Sequence, residues 1–260
     1  MNKHLARCLG RSMNHAPPSP GHAGRHIGLL LLACLLTLGG CAARKPATPR
    51  PIFKNIAVVP VTSPASVYTE NRMFAAPILP ALIATSVANR AKSRDFDQHM
   101  DKARRSLGPD FTQILVDALR AKGLSAYAWD AMPRDPKAPD NIEYSKLPTD
   151  DAVLHVWFND LAMDSPRTSS DYLPRVNVDA YFFPSRAAVD DHQTYFYFRY
   201  GADAGGQKPW SIPSDAKYRF PSFDALIERS NDVEASWQEA MREMALRMAE
   251  AIASELPRQP

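Results

Sequence analysis

The spacing of apolar and polar positions changes along this chain. Between residues 56 and 129 it indicates a strand, a helix and a second strand, in that order. Residues 56–61 (IAVVPV) are almost continuously apolar and rich in β-branched side chains, which is typical of a strand buried on both faces. Residues 111–122 repeat their apolar positions at helical spacing, and Gly123 is a natural C-cap. Residues 124–129 then alternate as a strand does. This order predicts two parallel strands joined by a crossover helix.

Three later segments, at 151–160, 175–183 and 193–200, alternate with a period of two. In each of them the apolar side chains fall on one face, while polar or aromatic side chains fall on the other. Such alternation predicts an antiparallel meander that buries one face against the core.

The remaining regular pattern is helical. Ser222 is expected to cap a short helix at 223–229, and Asn231-Asp232 are expected to cap a last helix with a long apolar stripe. Residues 77–105 begin with an apolar stretch and continue as a heavily charged segment, and this composition predicts a helical insertion. The fold class is therefore α/β (α+β), with a mixed sheet of about five strands, two main packing helices and that insertion.

A different apolar pattern lies near the start of the chain. Lys3, Arg7, Arg11 and Arg25 precede an apolar run at 27–38, without any acidic residue. A membrane-spanning helix needs about 20 apolar residues, so this run is too short for a permanent span and indicates an export signal. A secretory signal cut elsewhere and a short buried helix are the alternatives.

The run ends in Leu38-Gly39-Gly40-Cys41, which resembles the lipobox of bacterial lipoproteins. The resemblance implies cleavage between Gly40 and Cys41, and lipidation of Cys41 by acyl chains that hold the protein to a membrane. With Ala42 after the cysteine, it favours the outer membrane, with the domain facing the periplasm, over the inner membrane. We therefore expect a signal peptide at 1–40, a lipidated tether at 41–53 and one periplasmic α/β domain at 54–260.

Charge and cysteine content change once the signal peptide is removed. The whole chain has 31 Lys and Arg against 28 Asp and Glu, and four of the basic residues lie in the signal peptide, which leaves a net charge of −1. This balance gives no support for nucleic-acid binding. Cys8 and Cys34 are removed with the peptide, so the domain has no disulfide and no cysteine-based metal or redox site.

The segments IAVVPV and FTQILVDALRAKGLSAYAW, with the order of elements around them, resemble a known type of domain. It is the α/β domain of periplasmic lipoproteins such as the curli-secretion channel lipoprotein and the N-terminal domain of the Tol-system propeller protein. The resemblance implies a fold and allows for a homo-oligomer, but no functional motif transfers with it.

Residues with catalytic or metal-binding chemistry are few. His99, His155 and His192 are the histidines after position 41, and no nucleophile elbow or phosphate-binding loop accompanies them. His155 is expected to be packed and hydrogen-bonded within its strand. Asp190-Asp191-His192 falls between two predicted strands, where such residues form turns. We therefore expect no catalytic residue, no metal site and no cofactor.

The outward face of the meander has the strongest functional pattern, namely Trp157, Tyr181, Tyr195 and Tyr197, with Trp210 from a following loop. Aromatic side chains with polar tips are enriched at protein interfaces, although a covering helix would make them core. We expect a non-enzymatic envelope lipoprotein that binds other envelope proteins or its own copies, in an assembly or transport role. The alternatives are a peptidoglycan- or glycan-directed enzyme using acidic residues, and a small-molecule or lipid carrier.

Overall fold

The structure is a computed structural model that describes residues 53–72, 79–130, 132, 134–135, 137–166, 169–185, 193–205 and 208–255, with backbone alone at 79–86 and 255. Seven strands form a single mixed sheet in this part of the chain. They are β1 (Asn55–Val58), β2 (Tyr68–Asn71), β3 (Ser125–Ala128), β4 (Ala152–Ser165), β5 (Leu173–Phe183), β6 (Thr194–Gly201) and β7 (Ser211–Ile212).

The sheet has a parallel half and an antiparallel half that meet at the long strand β4. The strand order is β3-β1-β4-β5-β6-β7, and β2 pairs with the far end of β4 on the same side as β1. Strands β1 and β3 pair in parallel, as the strand–helix–strand pattern predicts, and β1 and β2 each pair in parallel with β4. Strands β4, β5 and β6 form the predicted antiparallel meander.

Four α-helices accompany the described strands: α1 (Leu79–His99), α2 (Asp101–Ala121), α3 (Phe223–Glu228) and α4 (Ser230–Glu255). Helices α2 and α4 pack on the same face of the sheet and against each other. Phe111 and Leu115 of α2 and Trp237 and Met244 of α4 are fully or almost fully buried there, beside Val178 of β5. The predicted α/β fold with two main packing helices is therefore confirmed.

The sheet has seven strands rather than about five. The two further strands, β2 and β7, lie within 62–76 and 201–221, outside the segments in which the sequence pattern predicts strands. Strand β2 is short and mostly polar (YTEN), and β7 has two residues, so neither has the apolar alternation that indicates a strand. Both strands form because a longer neighbour provides the backbone partners.

The helix boundaries also differ from the pattern. Helix α2 starts at Asp101, ten residues before the apolar repeat at 111–122, and Pro109 lies inside it. The heavily charged part of the insertion also contributes to the core, since Phe96 is fully buried, with its ring centroid 6.2 Å from that of Trp237. The last helix starts at Ser230, before the expected cap.

Ser222 caps α3 as expected, because its hydroxyl accepts a hydrogen bond from the amide of Ala225. None of the helices in the described part of the chain is both long and apolar enough to cross a membrane.

Candidate functional site

The sheet face opposite the helices has an aromatic zone and a charged zone. In the meander, alternate residues of each strand point to this face. The zones follow one another along β5, where Tyr181 and Phe183 belong to the aromatic end and Arg175 to the charged end, with Asp179 between them. Trp157, Tyr181, Tyr195 and Tyr197 belong to the aromatic zone, and Trp210 lies at its edge, where it also packs against the core on the helical side.

Five aromatic side chains form a continuous row across three strands, which we call the aromatic strip. The strip consists of Trp157 on β4, Tyr181 on β5, Tyr195 and Tyr197 on β6, and Trp210 before β7. Successive ring centroids are 5.4, 5.2, 6.2 and 4.8 Å apart in that order. These separations are within the range of favourable ring contacts, so each ring is positioned by its neighbours.

The aromatic strip becomes more exposed towards the β6 edge. Trp157, Tyr181, Tyr197 and Trp210 are partly buried, and Tyr195 has 48% of its surface exposed. No α-helix of the described residues packs on this face, since α2 and α4 lie on the other one. The strip is therefore a surface feature at its β6 end.

The opposite end of the strip is covered by the segment that joins β3 to β4. Met132 and Leu147 of this segment pack with Val153 and Phe183 of the sheet. Tyr144, in a short 3-10 turn, places its ring centroid 4.3 Å from that of Phe183. This cover consists of loop and turn. A loop has no regular spacing of apolar residues, so the sequence pattern did not indicate that this segment covers the sheet.

His155 continues the row under this cover, with its ring 5.1 Å from that of Trp157. The side chain is 1% exposed, and Nδ1 shares a 2.5 Å hydrogen bond with the hydroxyl group of Tyr144. Nε2 lies 4.0 Å from Oδ1 of Asp140. Burial lowers the pKa of His155, which favours the neutral ring. The packed, hydrogen-bonded histidine that we expected is the one observed.

Asp179 connects the aromatic zone to polar side chains on both neighbouring strands. Its Oδ2 accepts from Nδ2 of Asn159 at 2.9 Å, and its Oδ1 lies 3.1 Å from Nη1 of Arg199. The Arg199 guanidinium in turn lies over the ring of Tyr197, 5.2 Å from its centroid. The guanidinium and the ring thus form a cation–π contact that helps to hold the Tyr197 side chain in place.

In the charged zone, Arg175 is surrounded by carboxylates from three other segments. Its side chain is 3% exposed, with Nη2 at 2.9 Å from Asp164 and Nε at 3.3 Å from Asp203. Nη1 lies 3.2 Å from Glu70 and 3.4 Å from Asp160. The sequence does not indicate this cluster, because no local pattern connects residues that lie so far apart along the chain.

Several predicted features lie outside the described residues. These are the signal peptide and the tether as far as residue 52, with Gly40 and Cys41, and the segment Asp190-Asp191-His192. Where the chain is described, no group of three or more His, Cys, Asp or Glu side chains could hold a metal ion.

Comparison with known proteins gives similarity at the level of structure. No family model matches the sequence, and no curated protein matches it. Similar solved structures include a PelC dodecamer from Paraburkholderia phytofirmans (12% identity, TM-score 0.28, 78% of this chain and 92% of that chain). They also include protein XCC0632 from Xanthomonas campestris (11% identity, TM-score 0.34, 81% of this chain and 91% of that chain). A third is lipoprotein GNA1162 from Neisseria meningitidis (13% identity, TM-score 0.27, 59% of this chain and 87% of that chain). Bacterial lipoproteins are thus among them, and the likeness concerns the fold alone.

Proposed function

We propose that this chain is a lipid-anchored, non-enzymatic protein of the bacterial envelope, whose domain binds another envelope protein through the aromatic strip. The anchor would be the lipidated Cys41, in the outer membrane, with the domain in the periplasm. The observation that carries the binding role is the strip itself, which has no helical cover among the described residues and includes the exposed ring of Tyr195.

An aromatic surface of this kind gains free energy when a partner removes it from water. A large aromatic side chain contributes about 1.5–3 kcal/mol when it is fully buried. Tyrosine and tryptophan combine this apolar area with a polar tip and few rotatable bonds, so they lose little entropy on binding. The rings of the strip are already fixed by one another and by Arg199. A partner would therefore meet a preorganised surface.

Site-specific photo-crosslinking in intact envelopes tests this proposal. The full-length chain would carry p-benzoylphenylalanine in place of Tyr195, or in place of Val87 as a control. Val87 is 58% exposed on α1, outside the aromatic strip. We expect a discrete crosslinked protein from position 195 and none from position 87. The same products from both positions, or none from 195, would contradict a binding role of the strip.

A further inference from the structure

We propose that β6 receives an extended, acidic segment of the partner protein as an additional strand of the sheet. The receiving stretch is residues 195–198, which we call the open edge. This inference rests on the proposed function, since it states how the surface at the end of the aromatic strip would hold its partner.

Strand β6 is paired along its whole length on one side only. All eight residues pair with β5, whereas on the other side Arg199 and Tyr200 alone pair with β7. The amide of Arg199 donates to the carbonyl of Trp210, which shows that this residue directs its backbone groups away from β5. Backbone direction alternates along a strand, so Tyr195 and Tyr197 also present their N–H and C=O groups to the open edge. No described residue bonds to these four groups.

The two edges of the sheet differ in the protection they have. At the opposite edge, β3 is four residues long, and the carbonyl of Ala126 accepts a hydrogen bond from Nε of Arg120. Edge strands are usually short, charged or interrupted by proline, because a long apolar edge pairs with other chains. The open edge is four residues long like β3, but its sequence YFYF contains neither a charged residue nor a proline. It therefore has the chemistry of a template for strand addition.

A groove runs beside the open edge on the face that carries the helices. Its volume is about 650 Å³. It is lined by Phe196, Phe198, Pro209, Trp210, Arg247, Glu250 and Ala251, with Tyr195 and Tyr197 at its rim. Side chains of an added strand would alternate between this groove and the side of the aromatic strip. Apolar side chains suit the groove, because the rings of Phe196 and Phe198 form its floor.

The charges at the Trp210 end of the groove indicate an acidic partner. Nζ of Lys208 lies 4.8 Å from the Trp210 ring centroid, and Nη1 of Arg247 donates to the carbonyl of Pro209 at 2.7 Å. Neither cation pairs with a carboxylate of the described residues. The carboxylate of Glu250, which also lines the groove, lies 3.8 Å from Nζ of Lys122. Two uncompensated cations at one end of a groove favour a carboxylate at the matching end of the added strand.

Binding of a defined peptide to the full-length chain in detergent tests the inference. The probe is a fluorescein-labelled peptide of four threonine–valine pairs followed by two aspartates, measured by fluorescence anisotropy. We expect saturable binding to the wild type and at least tenfold weaker binding to Tyr195→Pro, which removes the outward amide. Tyr195→Ala loses the same ring but keeps that amide, so it should bind at least threefold more tightly than Tyr195→Pro. Proline is tolerated where an edge amide faces solvent, so the variant should fold.

Two control peptides make the test independent of the folding of that variant. The same peptide N-methylated at every threonine and valine should not bind, because it cannot donate backbone hydrogen bonds. A peptide that ends in two lysines should bind at least tenfold more weakly than the one that ends in two aspartates. Binding of the N-methylated peptide, or equal binding to the proline and alanine variants, would overturn strand addition. Equal binding of the lysine peptide would overturn the acidic partner.

Light scattering on the same samples shows whether the added strand comes from a partner protein or from a second copy of this chain. If the wild type forms an oligomer that Tyr195→Pro dissociates and Tyr195→Ala does not, the open edge binds a second copy of the chain. That result would overturn the proposal of a separate partner protein. If the peptide does not bind but a crosslinked envelope protein forms at position 195, strand addition fails while the proposed function stands.

Discussion

Arg175 shows what a single buried residue does in this sheet. Its guanidinium joins Glu70 of β2, Asp160 and Asp164 of β4 and Asp203 of the loop after β6. One arginine cannot neutralise four carboxylates, and removing charges from water is costly unless they are paired. Burial, together with the neighbouring carboxylates, raises the pKa of Asp164 to about 6, although Arg72, whose Nε lies 3.2 Å from Oδ1 of Asp164, opposes the rise.

This raised pKa predicts a pH dependence of stability. The folded pKa of Asp164 lies above the value of about 3.9 expected in the unfolded chain, so the folded state binds more protons between pH 4 and 6. The contribution to the free energy of unfolding is present at low pH and is lost as the pH rises through 6. Between pH 4 and 7.5 we expect the wild type to lose about 2 kcal/mol more than Asp164→Asn. Urea unfolding at both pH values measures the difference.

A matched substitution separates this effect from a general change in charge. Asp95→Asn removes one exposed carboxylate on α1 and should leave the pH dependence of the wild type unchanged. Equal pH dependence of Asp164→Asn and the wild type would show that the Asp164 carboxyl does not titrate as described.

At the scale of elements, the position of α2 is set by close backbone contacts with the segment after β1. The hydroxyl group of Ser63 accepts from the amide of Gly108 at 3.0 Å and donates to the carbonyl of Arg105 at 2.8 Å. One turn further along, the hydroxyl group of Thr112 accepts from the amide of Val61 at 2.8 Å. A glycine in the helix interior allows the two backbones to approach this closely.

A methyl group at position 108 should therefore separate the helix from this segment. A Cβ atom there would lie 2.4 Å from the carbonyl oxygen of Val61 and 2.6 Å from the amide nitrogen of Ser63, and these backbone atoms cannot move aside easily. We expect Gly108→Ala to lower the free energy of unfolding by about 1–3 kcal/mol, as overpacking does. Gly205→Ala, with no atom within 4 Å of the added carbon, should change it by less than about 0.5 kcal/mol.

The measurement is urea unfolding of all three proteins under the same conditions. Helix propensity alone favours alanine over glycine by about 1 kcal/mol. A more stable Gly108→Ala variant would therefore mean that propensity outweighs the close contact.

At the scale of the whole molecule, one cysteine is expected to decide where the domain is held. The lipobox resemblance predicts that Cys41→Ala abolishes both cleavage and lipidation of the full-length chain, whereas Cys34→Ala, within the discarded peptide, changes neither. Mass spectrometry should show the processed form with three acyl chains for the wild type and for Cys34→Ala, and the uncut precursor for Cys41→Ala. A native protein with an unmodified thiol at position 41 would contradict the lipid anchor.

Much of the fold follows from local pattern, and parts of the site do not. Alternation in the meander correctly assigned Leu154 and Val156 to the core, and Tyr181 and Tyr195 to the other face. The same pattern could not decide whether a helix covers the aromatic face, because side-chain period gives the direction of a residue and not its neighbours. It also missed β2, whose polar sequence pairs with the end of β4.

The sequence by itself determined the order of the main strands and helices, the faces of the meander and the expected anchor at Cys41. These properties depend on residues close together in the chain, where spacing is sufficient. Only the tertiary structure decided that the aromatic strip is open at β6, that Arg175 gathers four carboxylates and that the edge at 195–198 lacks a partner among the described residues. Such features arise from contacts between distant segments, which local spacing does not encode.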